Sequence, residues 1–429
     1  MPSSQHHSVI VIGAGPGGLG IGVLLEGWRP HLVGELPPRI AAYGVGEHLL
    51  EHGDDLLGVD MHAMVGAGIK PFDLFRILHH PTNEYRGRDD RVIEFHQVEP
   101  VDRLMISESL PGGLWNEVAR NQLTLSPGHW MELGPLRLDV FLEETGRDID
   151  PNALIEKKDL VPYYHWFADK TGISERGLFG HRATGVNRSS DGRFTVTVSE
   201  HATGAKTEYT SDHLVFGAGP KARPRSLDVP GADFPYVSDH YDHWDDHPGE
   251  RVLVVGGGRS ADWAATELYD AGRTVTYVMR GDEATHRRLI DDSQHLPYYQ
   301  RIREIIEADK GRFVRHYNSR VLQFNDDQTI ELGNGEIVEV DHAIIEIGGE
   351  PAYDLLSNLG PLTLVEGRDN YRLQLMQMVV NPATFESVDV PNLYPVGYLA
   401  EGMGISILGM HGNVYPMAAG ILRKLGRLD

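Results

Sequence analysis

An α/β fold of two Rossmann-like dinucleotide-binding domains, one inserted in the other, follows from three features of the 429-residue sequence. Gly13-x-Gly15-x-x-Gly18 follows an apolar β-branched run and opens a helical stretch. Gly256-x-Gly258-x-x-Ala261 does the same again. Beyond the second copy the chain returns to strand-then-glycine segments that would complete the first sheet, a duplication at the scale of a domain. In each fingerprint the first glycine permits a tight turn and the second lets backbone approach a pyrophosphate. The third position lets helix pack on strand, and the helix N-terminus faces the phosphates.

Ser8–Ile12 predicts the first strand, and His31–Gly34 the next. The latter ends at Glu35, about 20 residues past the glycines, where an acid holds a ribose hydroxyl. Gly13, Gly15, Gly18 and Glu35 therefore read as an FAD site. An irregular stretch of about 36–110 reads as an insertion, a lid or cofactor cover. Arg193–Val198 alternates, His201–Lys206 turns, and His213–Phe216 runs into Gly217-Ala-Gly219, which predicts a β-meander whose last strand brings backbone close to a cofactor at Gly219. Residues 225–250, rich in Pro, Asp and His, read as an interdomain linker. Arg251–Val255 and Thr274–Met279 predict strands of the inserted domain. The second of these ends at Arg280 in place of an acid, which suits a 2′-phosphate and hence NADPH, the alternative being a solvated strand-end charge. Arg259, Arg287 and Arg288 are close enough in sequence to share that phosphate. Hairpins are expected around Asn325-Asp-Asp327 and Asn334-Gly335, then a strand over Asp341–Ile347. Asn392–Gly397 and a helix from about Asn413 to Leu425 complete the first domain. The expected boundaries are 1–224 and 348–429 for the FAD-binding domain, 225–250 for the linker and 251–347 for the NADPH-binding domain.

A formal charge of −23 argues against nucleic acid or an anionic membrane as partner. The apolar start, Val9–Leu25, lacks a basic leader and is punctuated by glycines, and no run reaches the roughly 20 apolar residues of a span, so the cytoplasm is the expected location. A small-molecule substrate and O2 are the expected partners, and a homo-oligomer is compatible with this composition. Cysteine is absent. A dithiol relay beside a flavin is thereby excluded, which leaves oxygen, a protein or an organic molecule to take the electrons.

Phe234, His240 and Trp244 stand at the spacing of F-x-G-x-x-x-H-x-x-x-W, with Tyr236 in the glycine's place. The chain thus resembles the class B single-component flavoprotein monooxygenases, the group of flavin-containing, Baeyer–Villiger and N-hydroxylating enzymes. Leu110-Pro-Gly-Gly-Leu-Trp115, Leu123–Ser126, His129–Leu133 and Asp159–Tyr164 extend a resemblance to the oxidative stress-induced growth inhibitor family over most of the chain. The resemblance implies that NADPH reduces FAD and that O2 is carried at the flavin C4a as a peroxide or hydroperoxide, from which one atom reaches the substrate. It places Gly256, Gly258, Ser260 and Arg280 at NADPH. Trp115, Ser126, Met131 and Gly397 fall on the FAD side. His240 and Trp244 would couple the domains and are the candidate catalytic residues. N-hydroxylation of an amine is favoured, because His411-Gly412 with Tyr415–Gly420 is similar to the C-terminal stretch of amino-acid N-hydroxylases. Baeyer–Villiger oxygenation of a ketone or imine is the first alternative, and a flavin reductase or redox sensor acting on a protein partner the second. The group's flavin-side asparagine has no counterpart in register, Asn121 being nearest, and Tyr398 stands where an aspartate is usual. Asp239, His240, Asp242, His243, Asp245, Asp246 and His247 fit no usual ligand spacing, so no metal is expected. His79, His80 and His96 could donate protons near the flavin, but read first as surface or helix-end groups. Met403–His411 reads equally as a substrate-pocket wall and as a packing loop.

Overall fold

Alternating Val and Ile at 9–12 give a strand buried on both faces, β1 (Gln5–Ile12), and Pro16 then opens α1 (Pro16–Leu25) at a position where a missing N–H costs nothing. The computed structural model describes residues 5–85, 91–308, 311–367, 375–404 and 407–428. After α1 come β2 (Trp28–Leu32), α2 (Gly46–Glu51), α3 (Met61–Gly66), α4 (Pro71–His79), β3 (Ile93–Gln97) and β4 (Arg103–Ser107). Next are β5 (Leu123–Pro127), α5 (Leu138–Thr145), β6 (Leu154–Glu156), α6 (Lys157–Lys170) and β7 (Gly177–Phe179). The meander is β8 (His181–Arg188), β9 (Phe194–Glu200) and β10 (Lys206–Phe216). Two units result: Met1–Asn116, Ser126–Ala222 and Pro351–Asp429 form the first, Glu117–Leu125 and Arg223–Glu350 the second.

In the first unit the strand order is β7-β4-β1-β10-β9-β8. β1 runs parallel to β4 on one side and to β10 on the other. β10 is antiparallel to β9 over its first half. Over its second half it runs parallel to β23 (Leu393–Pro395). That last strand follows β21 (Leu364–Glu366) and β22 (Met376–Met378) and precedes α10 (His411–Lys424). Val9 and Val11 face a core shared with α1, α4 and α10, whereas Ile10 and Ile12 face the meander side. α1 is apolar nearly all round for this reason: it is covered by the sheet and by α10. Arg103, fully buried on β4, pairs with Glu26 at the C-cap of α1 and so ties helix to strand.

The order corrects two expectations. β2 pairs antiparallel with β3 in a separate ribbon, so the strand leading to Glu35 is not a neighbour of β1. The true parallel neighbour is β4, inside the stretch read as an insertion, so the inserted part ends before Arg103.

The second unit carries β11 (Arg223–Pro224), β12 (Val237–Ser238), β13 (Arg251–Gly256), α7 (Arg259–Asp270), β14 (Thr274–Val278), α8 (Glu283–Asp292), α9 (Pro297–Ala308) and β15 (Phe313–His316). An antiparallel meander, β16 (Val321–Phe324), β17 (Thr329–Leu332) and β18 (Ile337–Glu339), precedes β19 (His342–Glu346) and β20 (Gly349–Glu350). Its main sheet is all parallel, in the order β12-β19-β13-β14-β15. The stretch 225–250 contributes β12 to that sheet and Tyr236 to its core, so it is folded into the unit instead of spanning free. No helix among the described residues is long and apolar enough to cross a membrane.

Candidate functional site

Four glycine-bearing loops gather where β1, β4, β10 and β23 end. Gly13 N–H donates to Ile106 O at 2.7 Å, Gly217 N–H to Ile12 O at 2.7 Å and Gly112 N–H to Ala14 O at 2.8 Å. Asn116 Nδ2 clamps the third loop through the carbonyls of Leu110, Pro111 and Gly113. Gly397 N–H donates to Asn413 Oδ1 at 2.8 Å in the first turn of α10. Gly13 has φ +101°, and a Cβ there would stand 2.1 Å from Gly217 O, so both conformation and space demand glycine. Gly15 is different. As N-cap of α1 it has φ −70° and ψ 176°, open to any residue, and a Cβ would meet nothing nearer than 4.0 Å. It offers no side-chain cap, and the first turn carries no acid, so the helix N–H groups are left for an anionic ligand. Asn413 is fully buried, yet its Nδ2 has no partner among the described residues. An open cradle at a bare helix N-terminus and an orphaned donor beside Gly397 fit a dinucleotide such as FAD.

The second fingerprint repeats this arrangement. Gly258 caps α7 in extended backbone (φ −121°, ψ −174°), with no side-chain cap and nothing within 4 Å of a Cβ. Gly256 is tight instead: a Cβ would lie 2.5 Å from both Ala261 Cβ and Glu346 O. Ser260 lies partly buried in the first turn, and Arg280 is exposed immediately past β14, the parallel neighbour of β13. Arg259 is not free to join it, since its Nη1 donates to Tyr298 Oη at 3.1 Å and Nη2 to Ser293 Oγ at 3.3 Å. Arg287 is engaged with Glu283 one turn away. A network beneath, invisible in the residue pattern, centres on buried Asp262, which accepts from Tyr277 Oη, His286 Nε2 and Tyr299 Oη, each at 2.8 Å. These bonds lock α8 and α9 onto α7, and burial pushes both tyrosines well above their ordinary pKa.

The remaining expected residues are dispersed. Trp115 is partly buried against the first unit's core, Met131 lies in that core and accepts from Tyr164 Oη through its carbonyl, and Ser126 is partly buried. Gly219 has φ +88° with open space around it. His240 is exposed, with Nδ1 3.4 Å from Glu346 Oε1, and Trp244 is also exposed. Arg120 bridges the acidic run through Asp242, Asp245 and Asp246, and Asn121 donates to Glu267, a structural role. Tyr398 is buried. His79 ends α4 and His80 caps it, the expected helix-end placement, but with His411 they line a cavity instead of facing solvent; His96 is exposed as expected.

Glu108 is the residue that sequence reasoning missed. It follows β4 directly, level with the Gly13 turn, exposed and paired with Arg182. It stands at the end of β1's parallel neighbour, the place where a Rossmann fold carries its ribose acid, whereas Glu35 is exposed beyond the separate β2–β3 ribbon. The signal was present in Arg103-Leu-Met-Ile-Ser107, an apolar run closed by an acid and Gly112-Gly113.

The chain is 23% identical to mouse oxidative stress-induced growth inhibitor 1, covering 98% of this chain and 96% of that protein. Its fold matches the bacillithiol disulfide reductase Bdr from Bacillus cereus with a TM-score of 0.65 at 17% identity, over 98% and 100% of the two chains. It also matches DfoA, a cadaverine monooxygenase from Erwinia amylovora, with a TM-score of 0.58 at 13% identity, over 97% and 95%. Residues 147–397, more than half of the chain, match one family as a block. By that match the chain belongs to the pyridine nucleotide-disulphide oxidoreductase family, flavin-dependent enzymes that exchange electrons with a pyridine nucleotide.

Proposed function

We propose that the chain is an NADPH- and FAD-dependent monooxygenase that transfers one atom of O2 to a small organic substrate, an amine hydroxylated at nitrogen. The observation that carries this reading is the monooxygenase spacing of Phe234, His240 and Trp244 in a chain with two dinucleotide cradles and no cysteine. The disulphide chemistry in the family's name needs a sulfur beside the flavin, and this chain has no cysteine. The shared fold with a cadaverine monooxygenase supports the amine.

FAD, when bound, supplies two-electron chemistry between nicotinamide and O2. The protein's own work is to bind, orient and exclude water. Gly13, Gly15, Gly18 and Glu108, with Gly219, Gly397 and Asn413, would hold FAD. Gly256, Gly258, Ser260 and Arg280 would hold NADPH, and His240 and Trp244 would respond to the exchange between reduction and oxygenation. The balance is NADPH, H⁺, O2 and amine to NADP⁺, water and hydroxylamine.

Arg280→Ala is expected to weaken NADPH roughly 10- to 100-fold, the worth of a charge-assisted contact, while leaving NADH nearly unchanged. Initial rates against both coenzymes measure this, and equal losses would remove Arg280 from the 2′-phosphate. The activity is tested by reducing the FAD-loaded protein with NADPH without air, then mixing it with ¹⁸O2 and primary amines such as cadaverine. One labelled atom in the product is expected. Stoichiometric hydrogen peroxide with every amine, alongside fast electron delivery to a protein acceptor, would replace this reading with a reductase.

A further inference from the structure

A cavity of about 220 Å³ lies within the first unit, between the end of α4, the β3 region, the loop before α5 and the start of α10. It is smaller than the roughly 300 Å³ at which drug-sized sites begin, so it suits a small metabolite. Its wall is unusually rich in ionisable groups: Arg91, Arg137, Glu94, Glu132, His79, His80 and His411. Seven such groups around so small a space are costly unless a ligand uses them.

Their hydrogen-bonding state says which ligand. Arg91 Nε and Nη2 and Arg137 Nε are buried with no hydrogen-bond partner among the described residues. Their carboxylate neighbours stand off at ion-pair distance, Arg91 Nη2 at 3.6 Å from Asp139 and Arg137 Nε at 3.4 Å from Glu132. Gly134 N–H approaches His411 Nε2 at 3.4 Å, which assigns the ring proton to Nδ1, and Nδ1 is likewise buried and unpartnered. His79 stacks on His411 with ring centroids 3.4 Å apart, and its Nε2 lies 2.7 Å from Tyr415 Oη. Burial holds all three histidines well below the usual imidazole range, His411 at about 3, so they are neutral near pH 7. Burial pushes the Glu132 carboxyl up to about 7, so near neutrality it is partly a neutral acid able to donate. The remaining carboxylate at the wall, Glu94, is exposed. The enclosed surface thus has unused donors and few free acceptors, the complement of a carboxylate.

The geometry points to this cavity as the binding site of a small organic carboxylate, anchored by Arg91 and Arg137 with Glu132 and His411 donating. His411 stands in the same first turn of α10 as Asn413, the cap of Gly397. Asp139, Glu94 and partly ionised Glu132 offset the two guanidiniums, so the pull on a carboxylate comes from the unpartnered N–H groups and not from net positive charge.

Titration calorimetry of the FAD-loaded protein with butyrate, butylamine and butyramide tests the site without calling on oxygenation. Butyrate is expected to bind at least tenfold more tightly than either. Its affinity should fall as pH rises through 7, because Glu132 then ionises against it. The groups facing that carboxyl are Arg137 and Asp139 from α5, Arg91 from before β3, Leu138 N–H and Tyr163 from α6. Arg91→Lys and Arg137→Lys, which keep the charge but lose the planar fork, should each lower butyrate affinity at least tenfold. Glu132→Gln should retain binding and flatten its pH dependence, a readout that survives if the arginine variants do not fold. Preference for butylamine, equal binding of all three, or an unchanged pH profile in Glu132→Gln would overturn the assignment. Butyrate binding without any ¹⁸O transfer would leave the site standing and remove the oxygenation reading alone.

Discussion

Gly15→Val and Gly258→Val are each expected to leave the protein folded while cutting retention of one dinucleotide, FAD for the first and NADPH for the second. Both glycines lie in backbone that any residue can adopt, and a Cβ finds open space at each. Neither needs to be glycine for the sake of the chain. A pyrophosphate lying against the backbone supplies the reason, since a side chain would stand where the phosphate oxygens sit. Losing one or two charge-assisted bonds to the helix N–H groups corresponds to roughly 10- to 100-fold in affinity. Gly13→Ala is the contrasting case. Its Cβ would press on Gly217 O from a left-handed conformation, so the melting temperature should fall along with flavin content. Thermal melts and flavin absorbance separate the two behaviours. Wild-type FAD occupancy in Gly15→Val would show that the first turn holds no pyrophosphate, and wild-type NADPH affinity in Gly258→Val would show the same of the second.

The same contrast explains what could be read from the sequence. Fingerprint turns depend on contiguous residues, so β1 with α1 and β13 with α7 were legible from alternation and glycine spacing. The meander was legible too, because Arg193–Val198 alternates and the strand after it carries its own glycine exit. Neighbour choice in a sheet depends on the partner, and here about 90 residues separate β1 from β4. The rule that places an acid about 20 residues past the glycines assumes that the next strand pairs with the first. β2 satisfies the count and fails the pairing, because its backbone is taken by β3. Histidines give still less: the pattern Leu78-His79-His80 at a helix end looks like solvent-facing residues until α10 brings His411 onto His79. Arg259 stood beside the phosphate by sequence, yet Tyr298 and Ser293, more than 30 residues on, had already claimed its donors.

Glu108→Ala should therefore weaken FAD binding roughly 10- to 100-fold, the range for a hydrogen bond from a ribose hydroxyl to a carboxylate, and Glu35→Ala should leave it unchanged. Glu108 leaves β4 two residues beyond the level of Ile12, beside the turn that Gly13 and Gly112 hold together. A ligand whose pyrophosphate rests on Gly15 has its ribose on that side of the turn, one strand over, as the Rossmann arrangement requires. Glu108 pairs with Arg182, a partner half exposed to solvent, so releasing the carboxylate to a ribose costs little. Glu35 has no such geometry, because its ribbon shares no hydrogen bond with β1. Fluorescence titration of apoprotein with FAD distinguishes the two. Arg182→Ala serves as the control: it frees Glu108 without removing it, so FAD affinity should hold or rise. A loss of affinity in Arg182→Ala equal to that in Glu108→Ala would mean that the ion pair, and not a ribose contact, is what the site requires.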